Sequence, residues 1–118
     1  MNLLICYKRC GTCKEVEKLL TKGNVPYTYR EIDQDNPTAA ELRDWHKQSG
    51  LPITRFYNTS GIKYRELGLA EKRKSMSEAE QYELLATDGM IVKRPIFFYE
   101  DKVYVGPDVK KLAQSLLD

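Results

Sequence analysis

The chain has 118 residues, 42% of them hydrophobic and 31% charged, which suits one domain with a core of its own. Its 19 basic and 17 acidic residues are interspersed to a net charge of +2, so no clustered basic face invites direct contact with nucleic acid. Three cysteines are too few for a secreted disulfide framework. The opening apolar run of about five residues is too short for a signal sequence or a membrane span, so the expectation is a cytoplasmic monomer with no membrane partner.

Residues 2 to 7 read as a buried strand, followed by Cys10-Gly11-Thr12-Cys13 and a helix from Thr12 to about Lys22 with Val16, Leu19 and Leu20 on one stripe. Gly23-Asn24 ends that helix. Tyr27 to Asp33 alternates as a second strand, and the strand-helix-strand order implies parallel pairing. Asn36-Pro37 is expected to open a helix with proline at its first position and Leu42 and Trp45 on its apolar edge, running to Gly50. Pro52 to Tyr57 is ambiguous, and Asn58-Thr59-Ser60-Gly61 reads as a turn. Glu71-Lys72-Arg73-Lys74 is the densest basic run and reads as a solvated connection between helices. Ser77-Glu78-Ala79-Glu80 is a capping box for a helix through Leu84 and Leu85, closed by Gly89. Ile96 to Tyr99 and Lys102 to Val105 form a hairpin around Glu100-Asp101, although that turn lacks glycine. Pro107 to Leu117 is an amphipathic helix.

A β-α-β unit and a β-β-α unit around one mixed sheet, with the Cys-X-X-Cys after the first strand, describe an α/β thioredoxin-like fold. Residues 34–92 then form a mostly helical insertion into a single domain whose core is about 1–33 and 93–118.

A Cys-X-X-Cys at the start of a helix is a redox signature, because the helix dipole and free N–H groups favour a thiolate there. Cys10 precedes the first turn and is expected to be the open, attacking thiol; Cys13 lies toward the apolar stripe and is expected to resolve. Lys8, Arg9 and the helix N-terminus are expected to make Cys10 the more acidic of the two. A zinc site from Cys6, Cys10, Cys13 and His46 is disfavoured, because one Cys-X-X-Cys is half a ligand set and Cys6 is poorly aimed; no metal is expected. Cys6 reads as a small buried apolar residue and His46 as a residue at the solvent edge of its helix.

Four segments in order, Tyr7 to Lys14, Asn58 to Leu67, Leu84 to Met90 and Val92 to Pro95, resemble the arsenate reductase-like (ArsC) family, in the branch of the Spx and MgsR regulators. The resemblance spans essentially the whole chain. It implies a cis peptide at Pro95 and places Arg94 near the reactive cysteine, where a planar, permanently charged fork would stabilise a thiolate or an oxyanion. Lys8, Arg9, Gly11, Thr12, Asn58 and Pro95 stand as supporting or substrate-binding positions. Arsenate reductases of the family carry further arginines at positions that align with Asn58 and Gly106, so arsenate reduction is not the expected activity. The expected activity is glutaredoxin-like thiol-disulfide exchange, with no bound cofactor and with glutathione or another thiol as cosubstrate. The expected partner is a small thiol or a thioredoxin- or glutaredoxin-type protein. The rival from another class is an Spx-like redox switch that binds the C-terminal domain of the RNA polymerase α subunit, with Gly50 near the glycine used for that contact.

Overall fold

The structure is a computed structural model that describes residues 2–117. Two compact units divide the chain, Met1–Glu31 with Arg94–Asp118, and Ile32–Lys93.

The first unit is built on four short strands, β1 (Leu3–Cys6), β2 (Thr28–Glu31), β3 (Ile96–Tyr99) and β4 (Lys102–Val105), in the order β2-β1-β3-β4. β1 pairs parallel with β2, as their connection through helix α1 (Gly11–Lys22) requires, and antiparallel with β3. β3 and β4 form the hairpin, with Ile96 opposite Val105. Its turn works without glycine because Glu100 and Asp101 both adopt positive φ, 47° and 64°, the backbone that a two-residue hairpin with right-handed twist demands.

The alternation of β1 sends Leu4 and Cys6 to the same face, where they meet Cys13, Val16 and Leu20 of α1, Phe97 of β3, and Val109 and Ala113 of the C-terminal helix α6 (Pro107–Ser115). Proline opens α6, where its missing N–H costs nothing. α1 and α6 pack together, and Glu15 and Lys110 pair across them at 2.5 Å.

The second unit is helical: α2 (Ala39–Ser49), α3 (Ile62–Glu66), α4 (Leu69–Lys72) and α5 (Glu78–Ala86), with 3-10 turns at Ile53–Phe56, Arg73–Ser75 and Gly89–Ile91. α2 starts two residues later than Asn36-Pro37 suggests, because Thr38 and Glu41 form a capping box that satisfies two helix-start donors. Ser77 and Glu80 do the same for α5. That helix ends at Ala86, before Gly89, where Asp88 instead caps a 3-10 turn through the Met90 N–H. The ambiguous segment after Gly50 is a 3-10 turn tied to the end of the unit, with Lys93 N–H donating to the Phe56 carbonyl at 2.8 Å.

Two polar side chains are less solvated than their sequence context suggests. Arg73 donates to the Tyr64 and Thr54 hydroxyls and lies 5.4 Å above the Tyr57 ring. His46 is half-buried and bonds the Tyr82 hydroxyl at 2.6 Å. Both serve packing within this unit.

Gly89 is required by close approach, since a Cβ there would lie 2.2 Å from the Ile32 carbonyl oxygen and 2.9 Å from its carbon. Neither backbone atom yields cheaply. Gly89→Ala is therefore expected to destabilise by about 1–3 kcal/mol, the usual range for overpacking. Urea unfolding of the variant beside the parent checks this, and an unchanged midpoint contradicts it.

Candidate active site

β1 ends at Cys6, and the chain turns through Tyr7-Lys8-Arg9-Cys10 with the Cys10 N–H donating to the Tyr7 carbonyl at 3.0 Å. Glu31, the residue paired with Cys6 on β2, anchors the turn: one carboxylate oxygen accepts the Lys8 N–H at 3.1 Å and the other accepts the Tyr29 hydroxyl. Cys10 is the N-cap of α1, in extended backbone geometry; its sulfur makes no capping hydrogen bond, but the Cys13 N–H of the first helical turn lies where it favours the Cys10 anion. The N-terminus of α1 thus points at the first thiol.

The two cysteines differ in access. Cys10 is half-buried, whereas Cys13 is 1% exposed and belongs to the core cluster with Cys6, which is 0% exposed. The groups that favour an anion converge on Cys13: the Cys6 thiol first, then the Tyr7 backbone N–H, the Cys10 thiol and Arg94.

Acidity follows those bonds rather than the sequence expectation. The Cys6 hydrogen bond, with help from Tyr7, Cys10 and Arg94, pulls the Cys13 thiol down to about 7 against the opposing effect of burial. Burial pushes the Cys10 thiol up, and the Cys13 N–H and Arg94 offset this only in part. Cys6 is pushed far up, first by its bond to Cys13 and then by burial. The surroundings thus favour the Cys13 anion over that of Cys10. Spacing alone located the helix terminus correctly but not the two donors arriving at Cys13 from the end of β1.

Arg94 is half-buried, with its guanidinium 5.0 Å above the Tyr7 ring, and it favours the anion of both Cys10 and Cys13. It stands two residues before β3, whose first residue, Ile96, pairs with Ile5 of β1. The Arg94–Pro95 peptide is cis, and the Pro95 carbonyl accepts the Gly106 N–H at 2.8 Å. Lys8, Arg9, Gly11 and Thr12 are exposed around the turn and the start of α1. Asn58 belongs to the other unit, where its N–H bonds the Ile91 carbonyl and its own carbonyl accepts from Gly61, both at 2.9 Å.

Gly106 has φ 63° and ψ −129°, backbone that residues with a Cβ rarely adopt, so an arginine is disfavoured there by conformation as well as absent by sequence. Among the described residues, no group of three or more His, Cys, Asp and Glu side chains is arranged to hold a metal ion.

Beside the dithiol, sequence reasoning did not single out Tyr7 or Glu31, and it read Cys6 as a small buried apolar residue, which the core cluster bears out. Cys6 lies seven residues before Cys13, and a strand followed by a tight turn and a helix brings those positions together. That geometric cue was available in the pattern.

Comparison with known proteins places this arrangement in a family. An uncharacterized protein of Bacillus subtilis strain 168, YusI, is 46% identical over 100 residues, covering 85% of each chain. Global transcriptional regulator Spx 2 of Bacillus anthracis is 22% identical over 116 residues, covering 98% of this chain and 87% of Spx 2. The crystal structure of an ArsC family related protein from Bacteroides fragilis superposes with a TM-score of 0.89 at 44% identity, covering 98% of this chain and 96% of the other. With the ArsC family model matching residues 6–114, from the last residue of β1 nearly to the end of α6, the chain belongs to the ArsC family.

Proposed function

We propose that the protein is a thiol-disulfide oxidoreductase in which Cys10 attacks and Cys13 resolves. The observation that carries this reading is a half-buried thiol at a helix start, beside a second, fully buried thiol with pKa near 7. The buried sulfur holds the charge but cannot meet a substrate. The accessible one can, once it is deprotonated.

In the resting dithiol, Cys10 donates its S–H to the Cys13 thiolate. Transfer of that proton to Cys13 leaves a Cys10 thiolate facing the Cys13 N–H and Arg94. This thiolate attacks one sulfur of a substrate disulfide, forming a mixed disulfide and expelling the other sulfur as a thiolate that takes up a proton. Cys13 returns its proton to solvent and attacks Cys10 Sγ, which forms the Cys10–Cys13 bond and releases the second substrate thiol. Two molecules of glutathione, or another thiol reductant, then supply two electrons and restore the dithiol, themselves becoming a disulfide. Arg94 serves each thiolate stage, and Lys8, Arg9, Gly11 and Thr12 form the exposed surface that a substrate meets around Cys10.

Arsenate is a poorer fit. The aligned arginine positions hold Asn58 and Gly106, and lost charge-assisted hydrogen bonds of about 1.5–3 kcal/mol each lower oxyanion affinity by one to several powers of ten.

A second reading is favoured by the match to Spx 2 along nearly the whole chain: the same dithiol would act as a switch in a regulator that binds the RNA polymerase α C-terminal domain. Gly50, an exposed residue in left-handed conformation at the end of α2, would then belong to the contact.

Coupled steady-state assays decide among these. The expected result is turnover of a glutathione mixed-disulfide substrate, abolished by Cys10→Ser and lowered about tenfold by Arg94→Ala, as loss of one charge-assisted bond implies. Arsenate turnover should be weaker by at least tenfold. Efficient arsenate reduction overturns the reading, and inactivity on both substrates with binding to the α C-terminal domain favours the switch.

Ionisation gives an independent check. A thiolate is the species alkylated, so Cys10 labelling should be present above about pH 7 and be lost as pH falls through the Cys13 value. Cys13→Ser removes the proton acceptor and should move the labelling midpoint upward, as should Arg94→Ala. A midpoint that ignores Cys13→Ser contradicts the shared proton.

A further inference from the structure

The thiol chemistry uses the start of α1 and leaves the rest of its outer face without a role. Lys14, Lys18 and Lys22 are exposed there, each four residues after the last, in the series that Cys10 begins. The Lys14 N–H donates to the Cys10 carbonyl at 3.1 Å, so the first lysine stands one helical turn from the half-buried thiol. With Glu17, Thr21 and Tyr27 the three lysines line an open groove of about 550 Å³.

A merely solvated helix face is best served by an acid one turn before each lysine. This face has the opposite pattern. Lys18 follows Lys14 by one turn and Lys22 follows Lys18, and like charges at that spacing oppose the helix. No acidic residue stands in the first turn, where the helix dipole would favour one. The two acids of α1 are instead drawn to its flanks: Glu15 meets Lys110 of α6 at 2.5 Å, and Glu17 accepts the Tyr27 hydroxyl at 2.9 Å just ahead of β2. Lys18 acts on Glu15 too, but less than Lys110 does. Between those flanks runs a line of positive charge that leads to Cys10.

We propose that the Lys14-Lys18-Lys22 face of α1 docks an acidic segment of a protein disulfide, whose carboxylates lie in the residues beside the cysteine that Cys10 attacks. This names the substrate class of the exchange proposed above and rests on that reading.

Length separates a protein from a small thiol. At about 1.5 Å of rise per residue the lysines stand about 6, 12 and 18 Å along the axis from Cys10. An extended chain covers about 3.5 Å per residue, so a tripeptide joined through its central cysteine reaches about 4 to 7 Å and meets Lys14 alone. A cysteine followed by about six residues reaches Lys22. The position of Cys10 at the head of the series separates a protein from a nucleic acid, which brings no disulfide to it. The electron count is that of the exchange: the Cys10 and Cys13 thiols give two electrons and two protons, become a disulfide, and leave the partner with two thiols. Docking therefore acts on association and KM, while the bonds that form and break stay the same.

Two disulfide-bridged peptides test this with the full-length protein, identical except that about five residues after the reacting cysteine are Glu in one and Gln in the other, enough to span the lysines. At low salt the acidic peptide should be reduced with a kcat/KM at least about tenfold higher, through KM, on the scale by which charge steers association. The advantage should vanish near 1 M salt, where charges are screened beyond about 3 Å. Lys18→Gln/Lys22→Gln removes the two lysines beyond the reach of a tripeptide and keeps residues of similar helix preference. It should bring the acidic peptide down to the neutral one and leave turnover of the neutral peptide and of a glutathione mixed disulfide unchanged. Lys18→Arg/Lys22→Arg keeps the charge and should keep the preference.

Equal kcat/KM for the two peptides in the parent overturns the docking, and those arms stand whether or not the glutamine variant folds. An equal loss on both peptides in a folded glutamine variant overturns it as well, in favour of lysines that serve the helix. Binding of an oligothymidylate more tightly than of a cysteine-free acidic peptide of the same charge hands the face to nucleic acid. An active protein that does not discriminate the peptides sinks the docking alone, whereas one that reduces neither peptide nor the glutathione mixed disulfide sinks the dithiol reading and the docking with it.

Discussion

The interaction on which the site depends is the convergence on Cys13 of the groups that favour its anion. An anion at a residue 1% exposed, inside a cluster of Leu4, Val16, Leu20 and Phe97, would be prohibitive without partners. Here the Tyr7 N–H, two thiols and the field of Arg94 meet that cost. Every one of those groups is placed by the backbone around the end of β1: Tyr7 and Cys6 directly, Cys10 by the turn that follows, and Arg94 because β3 pairs antiparallel beside β1. The sheet is thus the device that sets the charge of the site. Its register matters more than the identity of the exposed loop residues.

The turn carrying Cys10 has to be rigid for the same reason. A displacement of about 1 Å at Cys10 would break its contact with Cys13 while leaving the core intact, and geometry at that scale decides catalytic rates. Glu31 supplies the rigidity, since its two oxygens hold the Lys8 N–H and the Tyr29 hydroxyl together. Tyr29 accordingly has its own ionisation suppressed, mainly by burial and then by Glu31. Tyr7 has a matching double use, with its amide directed at Cys13 and its ring beneath the Arg94 guanidinium. The position of Cys10 and the strand pairing are therefore coupled in this unit.

Much of this was legible from the amino-acid order. The strand, the Cys-X-X-Cys, the helix and the second strand specify a parallel β-α-β unit through periodicity alone, and Pro107 marks the start of α6 without ambiguity. Local signals failed where a competing partner appeared later in the chain. Thr38 with Glu41 outcompeted Asn36-Pro37 as a helix start, and Asp88 gave Gly89 a role in a new turn instead of in ending α5. The Glu100-Asp101 turn was located correctly but its glycine-free positive φ angles could not be read, because the twist of β3 and β4 imposes them. The acidity of the thiols was the least legible feature. Helix-terminus reasoning weighs Cys10 through one field, whereas the order of the two pKa values is set by side-chain contacts from a strand that sequence spacing treats as mere core.

The junction ahead of α6 bears on the proposed preference for a disulfide over a tetrahedral oxyanion. Gly106 brings no side chain, and its N–H is committed to the Pro95 carbonyl. Pro107 has no N–H to offer, the Val109 N–H returns to the Gly106 carbonyl, and Asp108 adds a carboxylate in the first turn. A helix start that ordinarily attracts anions is here largely spent on its own backbone and carries a negative side chain. A substrate with two or three oxyanion charges would need the donors that this junction withholds. A disulfide brings no charge and develops only one, transiently, on a leaving sulfur, and a single half-buried guanidinium beside two ionisable thiols is matched to that demand.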